Sequence, residues 1–351
     1  MEAIKRKFGT TEDGRDVYAF LLKNDNGAEC EIIEFGASIR TLKVPDRNGK
    51  LTDVVLGQDD LENAVKNGAY NAIFVGRHAN RIAHGRFKID GKEYRMETVN
   101  DRTVCHCGRG NYGRRFFHGD AYCYQDKAVA VLSLHENGEG GLPGSADASV
   151  CYTFTNNNEL LIDYTIRCTE PSPVNPTNHA FFNLSGHGKG DLEGHMLKAE
   201  CDFYCPTDRG GLPTGEILKV DGTPFDFREE ADVYDRLAHM DENEQLSMSK
   251  GYDHNLCIRE RGYREAIDCY SKLTGIRLVV STDMPGVQVY TATWPSRTCG
   301  KDGANYRESG SICFETQFYP NASGYSHFPS CIFYPGETMT SRTSFRFYAD
   351  R

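Results

Sequence analysis

The 351-residue sequence has no long apolar run, and no segment approaches the roughly 18 to 20 consecutive apolar residues that a membrane-spanning helix needs. It also lacks an excess of basic residues, since 40 Lys and Arg against 50 Asp and Glu give a formal net charge of −10. Nucleic acids and anionic membranes are bound by clustered positive charge, so we expect neither as a partner. The opening residues MEAIKRKFGTTEDGRDVY contain no apolar signal-peptide core, and we expect a cytoplasmic protein.

Recognisable cysteine motifs are also missing. The 13 cysteines include no C-x-x-C pair, which argues against most zinc fingers and thioredoxin-like redox sites. Most stand in apolar runs such as SVCYTF and SICFET, so we expect free, buried thiols. The one local cluster, Cys105-His106-Cys107, has no fourth ligand at a recognisable spacing, and we expect no metal there.

Helical patterns are scarce: LENAVKNG from Leu61 and ADVYDRLAHM from Ala231 are short candidates. Strand and turn signals recur instead. FKIDGKEYRM predicts a hairpin around Asp-Gly, and the asparagines at 156–158 separate two runs rich in β-branched and aromatic residues. The glycine-rich segment 135–144 is predicted to be a loop within a sheet. We therefore predict a single all-β domain over residues 1–351, a sandwich or barrel of antiparallel strands.

Three predicted strands carry a polar face beside an apolar one. In the stretch NPTNHAFFNL, one face holds a row with a histidine at its centre: Asn175, Thr177, His179, Phe181 and Asn183. SICFETQFYP places Glu315 and Gln317 on one face, and PGVQVYTATW places Gln288 and Trp294 on one face. Oriented amides, a carboxylate and aromatic rings suit the hydroxyls and C–H surface of a sugar.

Ordinary structural roles, without any catalytic function, also fit the same patterns. A glutamate on a strand is more often exposed to solvent than catalytic, and a histidine on a polar strand is often a structural donor. Asp253 and His254 in GYDHNLCI also fit a turn, and Asn80 and Arg81 also fit a surface ion-pair face. Periodicity by itself indicates a β-rich protein and leaves carbohydrate binding open.

Several longer blocks resemble the aldose 1-epimerase (galactose mutarotase) family. They are GRHANRIAHGRFKIDGKEY, NPTNHAFFNLSGHGKGD, LPTGEILKVDGTPFDFR, GYDHNLCI, and ETQFYPNA followed by FPSCIFYPGE. The blocks occur in the family's order and at about its spacing over nearly the whole chain, and those around His179, Asp253 and Glu315 are the most specific. The resemblance implies a large antiparallel β-sandwich, the galactose mutarotase-like supersandwich, with few short helices and an open sugar-binding cleft.

Matched residue by residue, the resemblance places His179 on the family's general acid and Glu315 on its general base. It places five further residues on positions that hold the substrate: Asn80, Arg81, His106, Asp253 and Gln288. The match departs from the family just before His106, where Thr103 and Val104 stand in place of an Asn-His pair. The departure bears on sugar preference more than on the chemistry.

The activity implied by the resemblance is an isomerase reaction that interconverts the α and β anomers of hexoses such as galactose and glucose. A base removes the proton of the anomeric hydroxyl while an acid protonates the ring oxygen, so two groups of complementary protonation must flank the ring. Reclosure on the other carbonyl face restores both groups, and no cofactor is expected. A histidine near its usual pKa of roughly 6.5 suits the acid, and we expect Asp253 to favour its charged form.

Two other functions fit the same scaffold. A hexose-6-phosphate 1-epimerase would recruit cleft cations for the phosphate, from the set Arg77, Arg81, Arg109 and Arg114. A non-catalytic carbohydrate-binding protein would need neither His179 nor Glu315. A glycoside hydrolase fits less well, because its two catalytic groups are both carboxylates. In each case the expected partner is a small sugar, and we expect a monomer or a weak homodimer.

Overall fold

The computed structural model describes residues 1–66, 71–98, 103–293 and 298–349. Up to residue 105 the strands are β1 (Glu2–Thr10), β2 (Asp16–Lys23), β3 (Glu29–Ile33), β4 (Ser38–Pro45), β5 (Leu51–Asp53), β6 (Phe74–Val75), β7 (Arg81–Ile82), β8 (Arg86–Ile89), β9 (Lys92–Arg95) and β10 (Val104–Cys105). Between residues 118 and 205 they are β11 (His118–Cys123), β12 (Lys127–Glu136), β13 (Ala146–Thr155), β14 (Glu159–Cys168), β15 (Ser172–Pro173), β16 (Thr177–Asn178), β17 (Phe181–Phe182), β18 (His195–Ala199) and β19 (Cys201–Cys205).

The remaining strands are β20 (Leu218–Lys219), β21 (Ala231–Asp232), β22 (Asp253–Ile258), β23 (Arg264–Ser271), β24 (Ile276–Thr282), β25 (Gly286–Tyr290), β26 (Thr298–Cys299), β27 (Asn305–Tyr306), β28 (Ile312–Gln317), β29 (Ile332–Phe333) and β30 (Met339–Ala349). The α-helices of the described residues are α1 (Leu61–Lys66), α2 (Val233–Ala238) and α3 (Glu244–Ser249). Short 3-10 turns lie at Ala83–Gly85, Gly108–Gly110, Tyr112–Arg114, Glu139–Gly141, Met240–Glu242, Lys301–Gly303 and Ala322–Gly324. No helix in the described part of the chain is long and apolar enough to cross a membrane.

Three large antiparallel sheets build the fold. The first five strands form a meander in the order β1-β2-β3-β4-β5. A nine-stranded sheet runs β11-β12-β13-β14-β30-β24-β23-β18-β21, and a six-stranded sheet runs β17-β28-β25-β22-β19-β20. The predicted all-β antiparallel sandwich is therefore confirmed.

The core lies between the large sheets. Phe182 and Phe314 of the six-stranded sheet pack in one apolar cluster with Phe345 and Phe347 of β30, and the Phe182 and Phe345 rings are 4.9 Å apart. Phe20 and other residues of the five-stranded meander belong to the same cluster. Burial of aromatic rings from several sheets in one cluster holds the strands of the six-stranded sheet in place, and with them the site described below.

The local turn predictions hold well. Residues Asp90 and Gly91, which join β8 to β9, both have positive φ, at 51° and 82°, as a tight hairpin of the predicted kind requires. The two predicted helices form, but the sequence analysis missed α3. Its start is clear in the structure, where the Asn243 side chain caps the backbone N–H groups of Gln245 and Leu246.

The prediction of one strand over 175–184 is wrong. The structure forms only the two-residue strands β16 and β17 there, and all ten residues are buried. The polar row does not face a single cleft, because Asn183 donates through Nδ2 to the backbone oxygens of Asp191 and Gly310. Alternation alone could not show this, since the partners of the segment lie far away in the sequence.

Candidate active site

Glu315 lies on β28, next to the middle of the six-stranded sheet, and its register partner on β25 is Gln288. Along β28, Ile312 and Phe314 pack into the main core, so alternation places Glu315 on the opposite face. Glu315 is only 2% exposed, and its Oε2 atom has no hydrogen-bond partner among the described residues. A buried polar atom without a partner is costly, which makes this position a candidate for a functional group.

His179 is fixed by contacts with a distant part of the chain. Its backbone N–H donates to the oxygen of Ile73 at 3.0 Å, and its own oxygen accepts from the N–H of Ala72 at 2.9 Å. His179 is 4% exposed, and its imidazole packs against the rings of Phe181 and Tyr290, with centroid distances of 4.8 and 6.0 Å. These contacts leave the ring little freedom to turn.

The two predicted catalytic groups are neighbours. His179 Nε2 lies 3.5 Å from Glu315 Oε1. We had expected them on opposite sides of a sugar ring, and the structure places them side by side. The geometry still suits ring opening, because the anomeric hydroxyl and the ring oxygen are bonded to the same carbon atom.

His106 and Asn80 form a hydrogen-bonded pair next to His179. Both have left-handed backbones, with φ values of 49° and 60°, a conformation that Asn and His adopt more readily than most non-glycine residues. The N–H of Asn80 donates to His106 Nδ1 at 3.1 Å, and the ring centroid of His106 lies 5.3 Å from that of His179. With Nδ1 accepting, a neutral His106 carries its proton on Nε2, so that atom is a hydrogen-bond donor.

Arg81, Asp253 and Gln288 form a second polar group of the cleft. Arg81 Nη2 donates to Asp253 Oδ2 and Gln288 Nε2 donates to Asp253 Oδ1, each at 2.7 Å. Asp253 lies at the start of β22 and not in a turn, and Asn80 is buried and not part of a surface face. The structure therefore brings all seven predicted site residues into one connected cluster.

Burial sets the protonation of the pair. It lowers the pKa of His179 to about 4, although a hydrogen bond to the residue's own backbone and the charge of Asp253 both oppose the shift. Burial also raises the pKa of Glu315 well above its usual range; the charge of Asp253 adds to this and that of Arg81 opposes it. The expectation that His179 keeps a pKa near 6.5 is therefore wrong. Both shifts favour the uncharged form of the pair, a protonated Glu315 beside a neutral His179.

The surroundings also shift the pKa values of His106 and Asp253. Burial lowers the pKa of His106 well below its usual range, with contributions from His179 and Arg81. Burial alone would raise the pKa of Asp253, but the charge of Arg81 and hydrogen bonds from Arg81 and Gln288 keep it below its usual range. Asp253 is therefore a carboxylate at neutral pH, while His106 is neutral.

A cavity of about 400 Å³ continues from this cluster, with Arg81 and Asp253 in its wall. Segments 207–211 and 248–250 form much of the remaining wall. Gly211, in this wall, has a φ of +75°, a left-handed conformation that favours glycine, and its position for a Cβ atom lies 3.0 Å from the Arg81 guanidinium. A second cavity of about 350 Å³ contains none of the seven predicted residues.

Three side chains lie close enough together to be considered as ligands of one metal ion. Within the described residues, ligand atoms of His106, His179 and Glu315 all lie within 4.8 Å of one another. Cys107 belongs to a different environment, since its Sγ contacts the backbone N–H and oxygen of His78. A metal ligand must offer a lone pair, whereas the hydrogen bond from Asn80 leaves a proton on His106 Nε2, so the set fits a metal poorly.

Three supporting residues were not predicted as site residues, although Asn175 and Gln317 lie on the polar faces described above. Cys313 Sγ lies 3.6 Å from His179 Nδ1, and Gln317 Nε2 donates to Gln288 Oε1 at 3.3 Å. Asn175 holds the end of β28, because its Oδ1 accepts from the N–H of Phe318 at 2.8 Å. The alternation of β28 carried a signal for Cys313 and Gln317, since both share a face with Glu315. Trp294, predicted to share a face with Gln288, lies outside the described residues.

Comparisons with known proteins agree on one family. The aldose 1-epimerase family model matches residues 18–346. The chain is 36% identical over 335 residues to the galactose mutarotase of Bos taurus, covering 94% of each protein. Among solved structures, it is similar to the GalM/aldose epimerase homologue from C. elegans, with a TM-score of 0.85, 29% identity, and coverage of 94% of this chain and 98% of that one.

A further structure supports the fold. The galactose 1-epimerase from Lactobacillus acidophilus superposes with a TM-score of 0.87 at 23% identity, over 100% of this chain and 99% of that one. Sequence, family and fold comparisons thus cover nearly the whole chain and agree with the blocks that first suggested the resemblance. The chain belongs to the aldose 1-epimerase family.

Proposed function

We propose that this protein is an isomerase that interconverts the α and β anomers of hexoses such as galactose and glucose, with His179 as general acid and Glu315 as general base. The observation that carries the proposal is the 3.5 Å separation of His179 Nε2 and Glu315 Oε1 inside a buried polar cluster, two members of which, Arg81 and Asp253, line the 400 Å³ cavity. The bovine relative is named a galactose mutarotase, and its resemblance extends over 94% of this chain.

The proposed reaction begins when the Glu315 carboxylate removes the proton from the anomeric hydroxyl. The electron pair of that O–H bond forms the carbonyl, the bond between the anomeric carbon and the ring oxygen breaks, and the ring oxygen takes the proton from His179 Nε2. Rotation about the adjacent C–C bond presents the other carbonyl face, and reversal of both transfers closes the ring. Each positioned proton transfer typically contributes about 10²- to 10⁴-fold in rate.

Burial of the pair assists the opening step. The reactive form has a charged Glu315 and a charged His179, and ring opening converts it to a protonated Glu315 and a neutral His179. This second form is the one that burial favours, because burial raises the pKa of Glu315 and lowers that of His179 to about 4. Removing two opposite charges from a low-dielectric site stabilises the open-chain state of the complex.

The remaining predicted residues would hold the sugar. His106 offers an Nε2–H donor, and Asp253 is held as a carboxylate by Arg81 and Gln288, so both donors and acceptors face the hydroxyls. Such fixed groups would orient the anomeric carbon toward the acid–base pair. Val104, one of the two departures from the family pattern, packs in an apolar cluster with Ile82 and Phe87.

The alternative of a phosphorylated substrate receives little support. Arg77, one of the cations considered for a phosphate, is fully buried and pairs with Glu136. Arg109 is largely exposed near Glu97, and Arg81 is engaged by Asp253. Arg114 is exposed and lines the second cavity, which contains none of the seven predicted residues. Of this set only Arg81 lines the 400 Å³ cavity, and Asp253 already pairs with it.

Polarimetry on freshly dissolved α-glucose or α-galactose tests the function. Addition of the protein should accelerate the approach to the equilibrium rotation in proportion to its concentration, and glucose 6-phosphate should react more slowly. A rate equal to the spontaneous one would indicate a carbohydrate-binding protein and overturn the proposal.

We also propose one domain, a monomeric or weakly dimeric state, and a cytoplasmic location. Light scattering would test the state of assembly, and fluorescence microscopy of a tagged chain would test the location.

A further inference from the structure

Buried amide side chains form a hydrogen-bonded chain beside Asp253, on the face of the six-stranded sheet that carries Glu315. The register pairs Asn255 of β22 with Gln288 of β25, and Gln288 with Glu315 of β28, so these side chains project from one face. Gln317 lies two residues after Glu315 and shares that face. Asn255, Gln288 and Gln317 are all buried, so their amide groups must find partners within the protein.

The Asp253 carboxylate sets the direction of the hydrogen bonds in this chain. A carboxylate only accepts, so the end of the Gln288 amide that lies 2.7 Å from Asp253 Oδ1 must be Nε2. Gln288 Oε1 is therefore the other end, and it accepts from Gln317 Nε2 at 3.3 Å. The same Gln317 nitrogen donates to Asn255 Oδ1 at 3.2 Å. An amide nitrogen has two hydrogens, so Gln317 can make both bonds at once.

We infer that Gln317 is a positioning residue for the sugar site: it holds Gln288 Oε1 and so keeps the Gln288 amide turned toward Asp253. This inference rests on the proposed function, in which Asp253 binds sugar hydroxyls. A reversed Gln288 amide would place its oxygen against the carboxylate and its nitrogen against that of Gln317, and both contacts are unfavourable. With Arg81 on Oδ2 and Gln288 on Oδ1, each oxygen of Asp253 has a fixed donor. Gln317 thus acts on sugar binding through Gln288 and Asp253.

Gly286 leaves the space that this arrangement needs. It lies on β25, which separates β22 from β28, and its register partner on β28 is Gln317. A Cβ atom at this position would lie 2.5 Å from Asn255 Oδ1, so the Asn255 amide lies directly over the glycine. A side chain there would displace that amide from its bond with Gln317. Asn255 in turn donates through Nδ2 to Cys205 Sγ at 3.7 Å, and this contact anchors the far end of the chain.

Substitution of Gln317 by methionine tests this role. Methionine has a similar length and no donor, so Gln317→Met should raise the KM for galactose about 2- to 10-fold, the equivalent of one neutral hydrogen bond. The kcat should change less than about twofold, because an effect confined to binding leaves the chemical step unchanged. Gln58→Met is the matched control. Gln58 is also buried but lines the second cavity, which contains none of the seven predicted residues, and its loss should leave KM unchanged.

A double-mutant cycle separates a positioning role from a structural one. If Gln317 acts through Gln288, Gln317→Met should raise KM in the wild type and have no further effect in Gln288→Met. A loss of folded protein would lower kcat instead, since KM does not depend on the amount of active enzyme. An unchanged KM in Gln317→Met, or effects that multiply in the double variant, would contradict the inference.

Calorimetric titration with galactose repeats the cycle without relying on turnover. The Kd should rise in Gln317→Met and should be the same in Gln288→Met and the double variant. A wild type that binds galactose without accelerating anomer interconversion would overturn the proposed function, while the Kd values would still decide the role of Gln317. A wild type that does not bind galactose would overturn both.

Discussion

Two glutamates are buried to nearly the same extent, and their surroundings differ. Glu136, which is 3% exposed, accepts from Arg77 through Oε1 and from the Gly138 N–H through Oε2. Glu315, which is 2% exposed, has an Oε2 atom with no partner in the described part of the chain, and its Oε1 lies beside His179. The fold satisfies the first carboxylate and leaves the second available for a proton.

The comparison extends to Arg77, the cation beside Glu136. Arg77 also donates to the oxygen of Pro143 at 2.6 Å and to the hydroxyl of Ser172 at 2.8 Å, so the whole ion pair is saturated. Such a buried pair contributes to the specificity of the fold, and loss of one partner leaves an uncompensated charge. Burial raises the pKa of both glutamates, and at Glu136 the charge and hydrogen bonds of Arg77 oppose the rise. Glu315 differs in its open hydrogen-bonding position, and a buried group of that kind can act in catalysis.

The largest effect is expected for Glu315→Gln. The amide keeps the size of the side chain but cannot remove a proton, so anomer interconversion should fall by at least about 10²- to 10⁴-fold. Removal of a buried carboxyl whose Oε2 atom has no partner in the described part of the chain should leave the melting temperature unchanged or higher. Polarimetry gives the rate, and calorimetric titration with galactose should show that binding persists. Near-normal turnover would overturn the assignment of the base.

Glu136→Gln is the counterpart and should act on stability. It leaves the Arg77 charge buried without its carboxylate, which should lower the free energy of unfolding by about 3 kcal/mol. The folded fraction should interconvert anomers at close to the wild-type rate. Urea denaturation and polarimetry on the same preparation measure both quantities. A large loss of turnover with unchanged stability would show that Glu136 contributes to the chemistry. The two glutamates would then not differ in role as proposed.

Asp253→Asn should affect substrate binding more than turnover. The change removes a negative charge and one acceptor from the group that Arg81 and Gln288 hold, and hydrogen bonds to charged groups contribute about 1.5–3 kcal/mol. We expect KM to rise by about 10- to 100-fold and kcat to change only severalfold. Asp163→Asn, which breaks an exposed pair with Arg342, is the control and should leave KM unchanged.

The sequence predicts the site better than it predicts the segment that carries it. The hairpin through Asp90 and Gly91 follows from local turn chemistry, and the seven site residues follow from blocks that resemble a family. The stretch from Asn175 to Asn183 is different, since its backbone and side chains bond to partners far away in the sequence, such as Ile73 and Phe318. No local pattern encodes such contacts.

The protonation of the site was equally out of reach of the sequence. The pKa of about 4 for His179 depends on burial by several strands, which no motif reveals. The proton on His106 Nε2 depends on one N–H from Asn80, held by a left-handed backbone. A sequence predicts which groups are present, while the packing of distant elements decides how each of them is protonated.

The smallest effect is expected from a change of pH. It tests most directly whether Glu315 differs electrostatically from an ordinary carboxyl. The proposed mechanism needs one proton on the His179–Glu315 pair. Burial lowers the pKa of His179 to about 4 and raises that of Glu315, and both shifts widen the range over which the pair holds one proton. With the spontaneous rate subtracted, kcat/KM should vary less than about twofold between pH 5 and pH 7, and should fall as the pH drops below about 4, where both groups are protonated.

Groups with ordinary pKa values near 4.5 and 6.5 would instead give a maximum of kcat/KM near pH 5.5 and a decline already visible at pH 7. A profile of that second kind would mean that the cleft is hydrated in solution and that Glu315 is no more buried, in electrostatic terms, than a surface carboxylate.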